Sequence, residues 1–352
     1  MTTMTHPPAR VTAGVDTHRD LHMVCALNEL GAQLGVESFP ATTVGYRAML
    51  AWLETFGTVE RAGVEGTGTY GAGLTRFLHA KGIEVVEVTC PNRQRRRSHG
   101  KSDPVDAIAA ARAAQSGDAT ATAKTRTGNI EAIRALRVVR RSAAHSRTSA
   151  LNQMRALLVT GPDDLRADFR PMSIFVMVNT AARFRVNDPT SPAGATRYAL
   201  RELARRVQAL DAELKGLDAL LGPLVAKTAP TLVACYGVGT DTAGALLVSA
   251  GDNPERLGSE AKFAHLCGTA PIDASSGLVV RKRLNRGGDR IANEALWRVV
   301  MVRMVSDPRT REYVQRRTKE GRSKREIMRC LKRYVARELY PHLIAAGAQQ
   351  AP

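Results

Sequence analysis

The sequence predicts an α/β domain, a mixed sheet flanked by helices, followed by a mostly helical second half. Three observations carry that expectation. Short strand-like runs open the chain, strand-like and helix-like runs then alternate to about residue 88, and helical periodicity dominates from residue 103 onward. At 352 residues with 44% hydrophobic content, the chain is long enough for two domains with cores of their own.

Val11–Val15 and Leu21–Leu27 read as short strands, Asn28–Gly31 as a turn, and Gln33–Phe39 as a third strand, which together make a meander. A helix over Val44–Phe56 and a strand over Arg61–Glu65 follow. Leu74–Ala80 reads as a helix ended by Gly82, and Ile83–Val88 alternates as a strand. Asp103 to about Leu158 is helical with breaks near Gly117 and Gly128. The next stretch, Gly161–Pro192, carries Pro162, Pro171, Pro189 and Pro192 and reads as a connector. In Tyr198–Val225 leucines fall at near-heptad spacing, which suggests a helical hairpin or short coiled coil, with a plain amphipathic helix as the alternative. The expected organisation is an α/β domain over 8–160, a helical connector over 161–227 and a C-terminal domain over 228–345.

Charge narrows the partner. Fifty-one Lys and Arg against 33 Asp and Glu give +18, which favours a polyanion, because each neutralised phosphate releases condensed counterions. A membrane-surface binder is the competing reading of charge alone. No apolar run reaches the ~18–20 residues of a spanning helix, and the N-terminal MTTMTHPPAR lacks the apolar core of a signal peptide. Cys25, Cys90, Cys235, Cys267 and Cys330 form no CxxC pair, so reduced thiols in a cytoplasmic protein are expected.

Four acids stand where strands and a helix end or begin. Asp16 closes the first strand in Ala13-Gly14-Val15-Asp16, and Glu65 closes a later one in Gly63-Val64-Glu65-Gly66. Asp103 and Asp106, three apart around Pro104, share the first turn of a helix. Each alone reads equally as a cap or a helix-dipole partner. Together they can hold two divalent cations, and oxygen ligands suit Mg²⁺. Paired cations serve phosphoryl transfer by activating the attacking oxygen and stabilising the leaving one.

Basic residues supply candidate nucleic-acid contacts. Arg134, Arg137 and Arg141 fall on one helical face, for which plain solvation is the alternative. In TLVACYGVGTDTAGALLVSA, two apolar helices around Gly237-Val238-Gly239 have the pattern of a helix-hairpin-helix, whose glycines admit a phosphate close to backbone N–H groups. Farther on, Ser275, Ser276 and Gly277 precede Arg281, Lys282, Arg283 and Arg286. A hydroxyl beside such a cluster is a phosphate contact or a nucleophile, with a bare turn as the alternative. Ile291–Val305 and about Ser323–Leu339 read as strongly basic helices.

These residues resemble a known family. GVDTHRD, VEGTGTYG, PNRQRRRSHG and GKSDPVDA look like the DEDD transposases of bacterial insertion sequences, the IS one-ten family, which includes Piv-type DNA invertases. CYGVGTDTAGALLVSAGD, FAHLCGTAPIDASSG and RLNRGGDRIANEALW resemble its C-terminal domain, in order. The resemblance implies a RuvC-like, ribonuclease-H-type first domain with Asp16, Glu65, Asp103 and Asp106 as a Mg²⁺-binding tetrad. It also implies a serine nucleophile matching Ser276, donor and target DNA chosen by a structured bridge RNA, and a homo-oligomer, dimer to tetramer. Ser275 stands beside Ser276, so that assignment rests on the spacing to Gly277. Pro104 replaces a basic or polar residue of many relatives and suits a first helical turn. Site-specific inversion, a RuvC-like nuclease without serine chemistry, and a non-catalytic nucleic-acid-binding protein are the other expectations the sequence leaves open.

Overall fold

The computed structural model describes residues 9–89 and 102–348. Cys90 and the basic stretch 91–100 lie outside them. Two compact units account for the chain. The first comprises residues up to Gly128 together with Ser249–Leu266, and the second comprises Asn129–Val248 and the residues from Cys267 onward.

The first unit is built on one six-stranded mixed sheet. Strands β1 (Arg10–Thr17), β2 (Leu21–Leu27) and β3 (Gln33–Pro40) form the expected antiparallel meander. β4 (Thr58–Glu65) and β5 (Glu84–Val88) add in parallel, giving the order β3-β2-β1-β4-β5-β6. The edge strand β6 (Ala121–Thr122) falls between the two glycines read from sequence as helix breaks. Two residues are too few to leave a periodic signal.

One sheet face packs on α1 (Thr43–Glu54) and α2 (Ala72–Ala80). Val11, Ala13, Val15, Val24 and Val64 meet Tyr46, Met49, Leu53, Leu74 and Leu78 there. α1 starts cleanly because Thr42 accepts a hydrogen bond from the Gly45 N–H at 3.2 Å.

The other face carries α3 (Asp103–Ser116), whose buried side is almost wholly alanine: Ala107, Ala110, Ala111 and Ala114. The strands beneath match this with glycine. A Cβ on Gly14 would overlap the backbone of Ala107 and Ala111, and one on Gly63 would overlap Ala110. Gly14 and Gly63 are register partners on β1 and β4, so α3 crosses both strands at backbone contact distance. Pro104 sits in its first turn and Gly117, at φ +77°, ends it.

Ser249–Leu266 returns from the C-terminal half to cover the β6 edge. The Asn253 side chain donates to Ala123 O at 2.9 Å, and Arg256 donates to Thr122 O at 3.3 Å. Asp252 accepts from the N–H groups of Arg126 and Thr127, at 3.0 and 2.5 Å. Those bonds hold Arg126 at φ +55°, unusual for a residue other than glycine. The cover also satisfies an edge that would otherwise present unpaired backbone groups.

The second unit is helical. α4 (Asn129–Thr160) and α7 (Pro192–Thr228) run antiparallel, shown by the ion pairs Arg140–Asp218 (2.5 Å) and Arg147–Asp211. Leu151, Met154 and Leu158 of α4 pack on Leu200, Ala204 and Val207 of α7. The expected connector holds two helices, α5 (Asp163–Phe169) and α6 (Ile174–Ala182), whose Leu165, Phe169, Met177 and Val178 join that core. Prolines there lie between helices or in a first helical turn, where they are compatible with helix.

The paired helices expected around Gly237 are a correction. The first is a single turn, α8 (Pro230–Val233), because Ala229 leaves helical geometry and Pro230 restarts it. α9 (Thr240–Ala250) follows. After α10 (Glu260–Leu266) comes a two-stranded hairpin, β7 (Ile272–Asp273) with β8 (Lys282–Arg283). α11 (Arg290–Ser306), α12 (Pro308–Lys319) and α13 (Lys324–Ala348) complete the unit; α12 has no counterpart in the sequence reading. Arg303 clamps α11 to α13 through Glu338 at 2.6 and 2.8 Å.

Gly14→Ala or Gly63→Ala is expected to destabilise the protein by at least ~3 kcal/mol, since backbone cannot yield as a side chain does. Gly216→Ala, in open space within α7, should be neutral or stabilising by about 0.5–1 kcal/mol. Urea unfolding of the three variants checks the contrast.

Candidate active site

The alanine–glycine seam delivers the acids. Asp16 lies two residues beyond Gly14 and Glu65 two beyond Gly63, so both continue the sheet face that α3 covers. The strand ends are tied together, the Thr17 hydroxyl donating to Glu65 O at 2.8 Å. Asp103 and Asp106 come from the first turn of the same helix. Ser102 is the N-cap, and its carbonyl accepts the first helical bond from the Asp106 N–H at 3.1 Å.

Asp16 and Asp106 are buried, whereas Asp103 is exposed. His18 stands between two of the acids. Its Nε2 is 3.2 Å from an Asp16 oxygen and 3.4 Å from an Asp103 oxygen. Asp16, His18 and Asp103 each offer a ligand atom within 4.8 Å of the others, a spacing that could hold a metal ion. Burial raises the Asp16 pKa above the usual carboxylate value, His18 opposes the rise, and Asp106 and Asp103 add to it. A half-buried cluster of carboxylates that repel one another is what a divalent cation relieves. The donor set therefore fits a cation with oxygen ligands and one accessible imidazole nitrogen.

His18 was not singled out from sequence, although it lies two residues from Asp16 inside GVDTHRD. Arg126 was also missed. Its guanidinium lies against Gly68, in the turn that follows Glu65.

The second unit sorts the basic candidates. Arg134 is engaged by Glu131 at 2.6–2.9 Å. Arg137 turns inward to Asp241, which also pairs with Arg298 at 2.6 Å. Hence the basic face expected on this helix narrows to Arg141, which is exposed. Gly237, at φ +79°, is covered by Val299 and Val302 of α11, while the position of Gly239 is open.

The serines separate sharply. Ser275 Oγ is tied across the hairpin to the backbone of Arg281, accepting from its N–H at 3.0 Å and lying 3.3 Å from its carbonyl. Ser276 is exposed, and its backbone bridges Val279 on either side of a turn that Gly277 makes at φ +55°. Among the described residues its hydroxyl forms no hydrogen bond. Arg281, Arg283 and Arg286 are exposed on and after the returning strand, and Lys282 pairs with Asp273.

Comparison with known proteins gives concordant matches. Residues 13–161 match the DEDD transposase profile for IS110, described as a transposase. Residues 229–315 match the transposase IS116/IS110/IS902 family. The insertion element IS110 uncharacterized 43.6 kDa protein of Streptomyces coelicolor is 31% identical over 124 residues, covering 34% of this chain. The shared stretch spans 30% of that relative's length.

Without metal, Asp16→Asn is expected to raise the melting temperature by a few degrees at neutral pH, because the amide escapes the burial penalty, and the added repulsion from Asp106 and Asp103, that raise the Asp16 pKa. The folded state binds this proton more tightly than the unfolded state, so wild-type stability gains on the variant as pH falls, and the site's penalty is gone below 3.8. A saturating divalent cation should reverse the order, stabilising wild type by about 2.7 kcal/mol at a hundredfold excess over Kd and the variant much less. Thermal melts with and without Mg²⁺ check both signs.

Proposed function

Since the chain belongs to the IS110 family of DEDD transposases, we propose that it cuts and rejoins DNA strands, moving an insertion element. The observation that carries this reading is the coexistence of four acids at two strand ends and one helix start with a hydroxyl presented at a basic hairpin tip. The first half suits cation-assisted phosphoryl transfer, and the second suits a nucleophile. No helix among the described residues is long and apolar enough to cross a membrane, and the charge of +18 favours nucleic acid.

In this reading Asp16, Glu65, Asp103 and Asp106 would hold two Mg²⁺ ions, with His18 beside them. The cations would supply charge stabilisation to the phosphoryl oxygens of the scissile group. Ser276 is the nucleophile, and Ser275 braces the hairpin. The Ser276 oxygen bonds to phosphorus as the bond from phosphorus to a nucleoside oxygen breaks. The serine proton leaves and the departing oxygen takes one up. A strand oxygen then attacks the phosphoserine, which restores the serine and joins the new strand. Arg281 holds phosphate near the tip, and Arg283 and Arg286 hold it farther along the strand, through planar donor forks.

A structured RNA from the element selects donor and target in this scheme. The working form is a homo-oligomer, dimer to tetramer, acting in the cytoplasm, in which the acids of one subunit serve the serine of another. A site-specific invertase would use the same residues. A RuvC-like nuclease is the reading in which water replaces Ser276.

The test is incubation of purified protein with Mg²⁺, donor DNA and the element's RNA, resolved on a denaturing gel. A protein–DNA adduct is expected. Ser276→Ala should abolish it, a loss of at least ~10³-fold as for other nucleophile deletions, whereas Ser275→Ala should retain it at reduced yield. Nicked DNA without adduct would favour the nuclease instead, and adduct persisting in Ser276→Ala would remove this serine from the chemistry.

A further inference from the structure

A cavity of about 410 Å³ opens at the base of the serine hairpin, wholly within the second unit. Its floor is the Gly268–Pro271 segment, and its walls are Lys282 and Arg283 of β8 with Arg329, Lys332, Arg333 and Tyr334 of α13. Five of the lining side chains are cationic and none is a carboxylate. Lys282 is offset by Asp273. Arg283 and Arg329 form no ion pair or hydrogen bond among the described residues. Lys332 donates to the neutral Asn293 side chain at 2.9 Å, so its charge stays uncompensated there. Burial and the nearby Arg329 lower its pKa, a strain that an anion would relieve. Tyr334 is half exposed at the wall, braced edge-on by Tyr313 at 5.8 Å.

Cations such as Arg283, Arg329 and Lys332, which make no ion pair among the described residues, around an aromatic ring are the elements of single-stranded nucleic-acid recognition, where a base stacks and its phosphate is held. The volume fits a small ligand and is far too small for a base-paired step, so a nucleotide entering it must leave the stack. Position narrows the ligand further. Lys282 pairs in register with Asp273, three residues before Ser276. At ~3.3 Å per residue the cavity's Lys282 backbone is roughly 10 Å along the hairpin from the serine, about the length of one or two backbone steps along a single strand.

We propose that this cavity is a pocket for one unpaired nucleotide of the DNA strand that Ser276 attacks, lying within two nucleotides of the phosphate. The base stacks on Tyr334, and Arg283, Arg329 and Lys332 hold its phosphate. Engagement there would fix the strand's register at the hydroxyl and reward local melting of the duplex. The placement beside the attacked phosphate rests on the serine reading above; the pocket itself does not.

The experiment measures binding of the full-length protein to fluorescein-labelled 30-base-pair duplexes by anisotropy. One duplex is fully paired, one carries a single unpaired deoxynucleotide, one carries an abasic bulge, and one carries an unpaired ribonucleotide in an RNA duplex. The DNA bulge is expected to bind about tenfold more tightly than the paired and abasic duplexes, as loss of one base–aromatic stack implies. Tyr334→Ala and Arg329→Ala should erase that preference while paired-duplex affinity falls less, and Tyr334→Phe should keep it. Unchanged melting temperatures confirm that the variants fold. Ser276→Ala, which removes the nucleophile and leaves the pocket, should retain the preference, so a failed adduct assay and a failed pocket are told apart. Equal affinity for bulged and paired DNA would overturn the proposal. A preference that survives Tyr334→Ala and Arg329→Ala would also overturn it, and tighter binding of the RNA bulge would overturn the assignment to DNA.

Discussion

The candidate site depends on one packing constraint, the backbone-distance seat of α3 on β1 and β4. Gly14 and Gly63 leave no side chain beneath the helix, and Ala107, Ala110, Ala111 and Ala114 leave almost none above it. Such a seam permits a single depth and a single axial position, because a shift along the helix drives an alanine methyl into a strand backbone. The first turn of α3 is thereby fixed at the ends of the two strands that carry Asp16 and Glu65. The hydrogen bond from Thr17 to Glu65 O then locks those ends to each other. Carboxylates that are to share a cation, as proposed, need positions set to a fraction of an ångström, and the setting would come from small residues away from the chemistry.

The same seam explains why charge accumulates there at a cost. Asp16 is nearly covered, with Asp106 and Asp103 beside it, and His18 is a charge partner that relieves it. A fold selected for stability alone would place apolar groups at that point. Holding a destabilised anion in a rigid frame converts cation binding into stabilisation, and it is a common signature of a functional site. His18 matters in this balance because its imidazole reaches both acids without belonging to the core.

Much of this was legible in the sequence, and the limits have physical causes. The meander, the parallel pair and α3 were readable because alternation and helical period survive over five or more residues, and Asp16, Glu65, Asp103 and Asp106 were readable as residues at element ends. β6 was not, since two residues carry no period. The return of Ser249–Leu266 to the first unit was invisible for another reason. Its anchors, Asp252, Asn253 and Arg256, hydrogen-bond to residues more than 120 positions earlier, and a contiguous reading contains no such information. Arg137 looked like part of a free basic face because helical spacing gives the face but not what packs on it; Asp241 lies on another element 104 positions away. His18 was passed over because a lone histidine in an exposed turn has many bland explanations until two carboxylates are found around it.

The two halves of the proposed chemistry are built by opposite strategies. The acids sit on a packed seam, while Ser276 sits at the end of a thin hairpin with Leu278, Val279 and Val280 exposed beyond it. A nucleophile on such an element has little packing to hold its direction, so its orientation must come from what binds there. The fixed parts of the hairpin are its base pairing of Asp273 with Lys282 and the Ser275 tie to Arg281. Lys282 of that pairing also lines the cationic cavity. Gripping a strand at the base therefore constrains the tip, because the two-stranded ladder transmits position along its length better than an open loop would. In the proposed reading, such an arrangement would make the orientation of the hydroxyl depend on the nucleic acid engaged at the base. Rigidity is placed where charges must be shared, and dependence on ligand where a bond must not be cut too early.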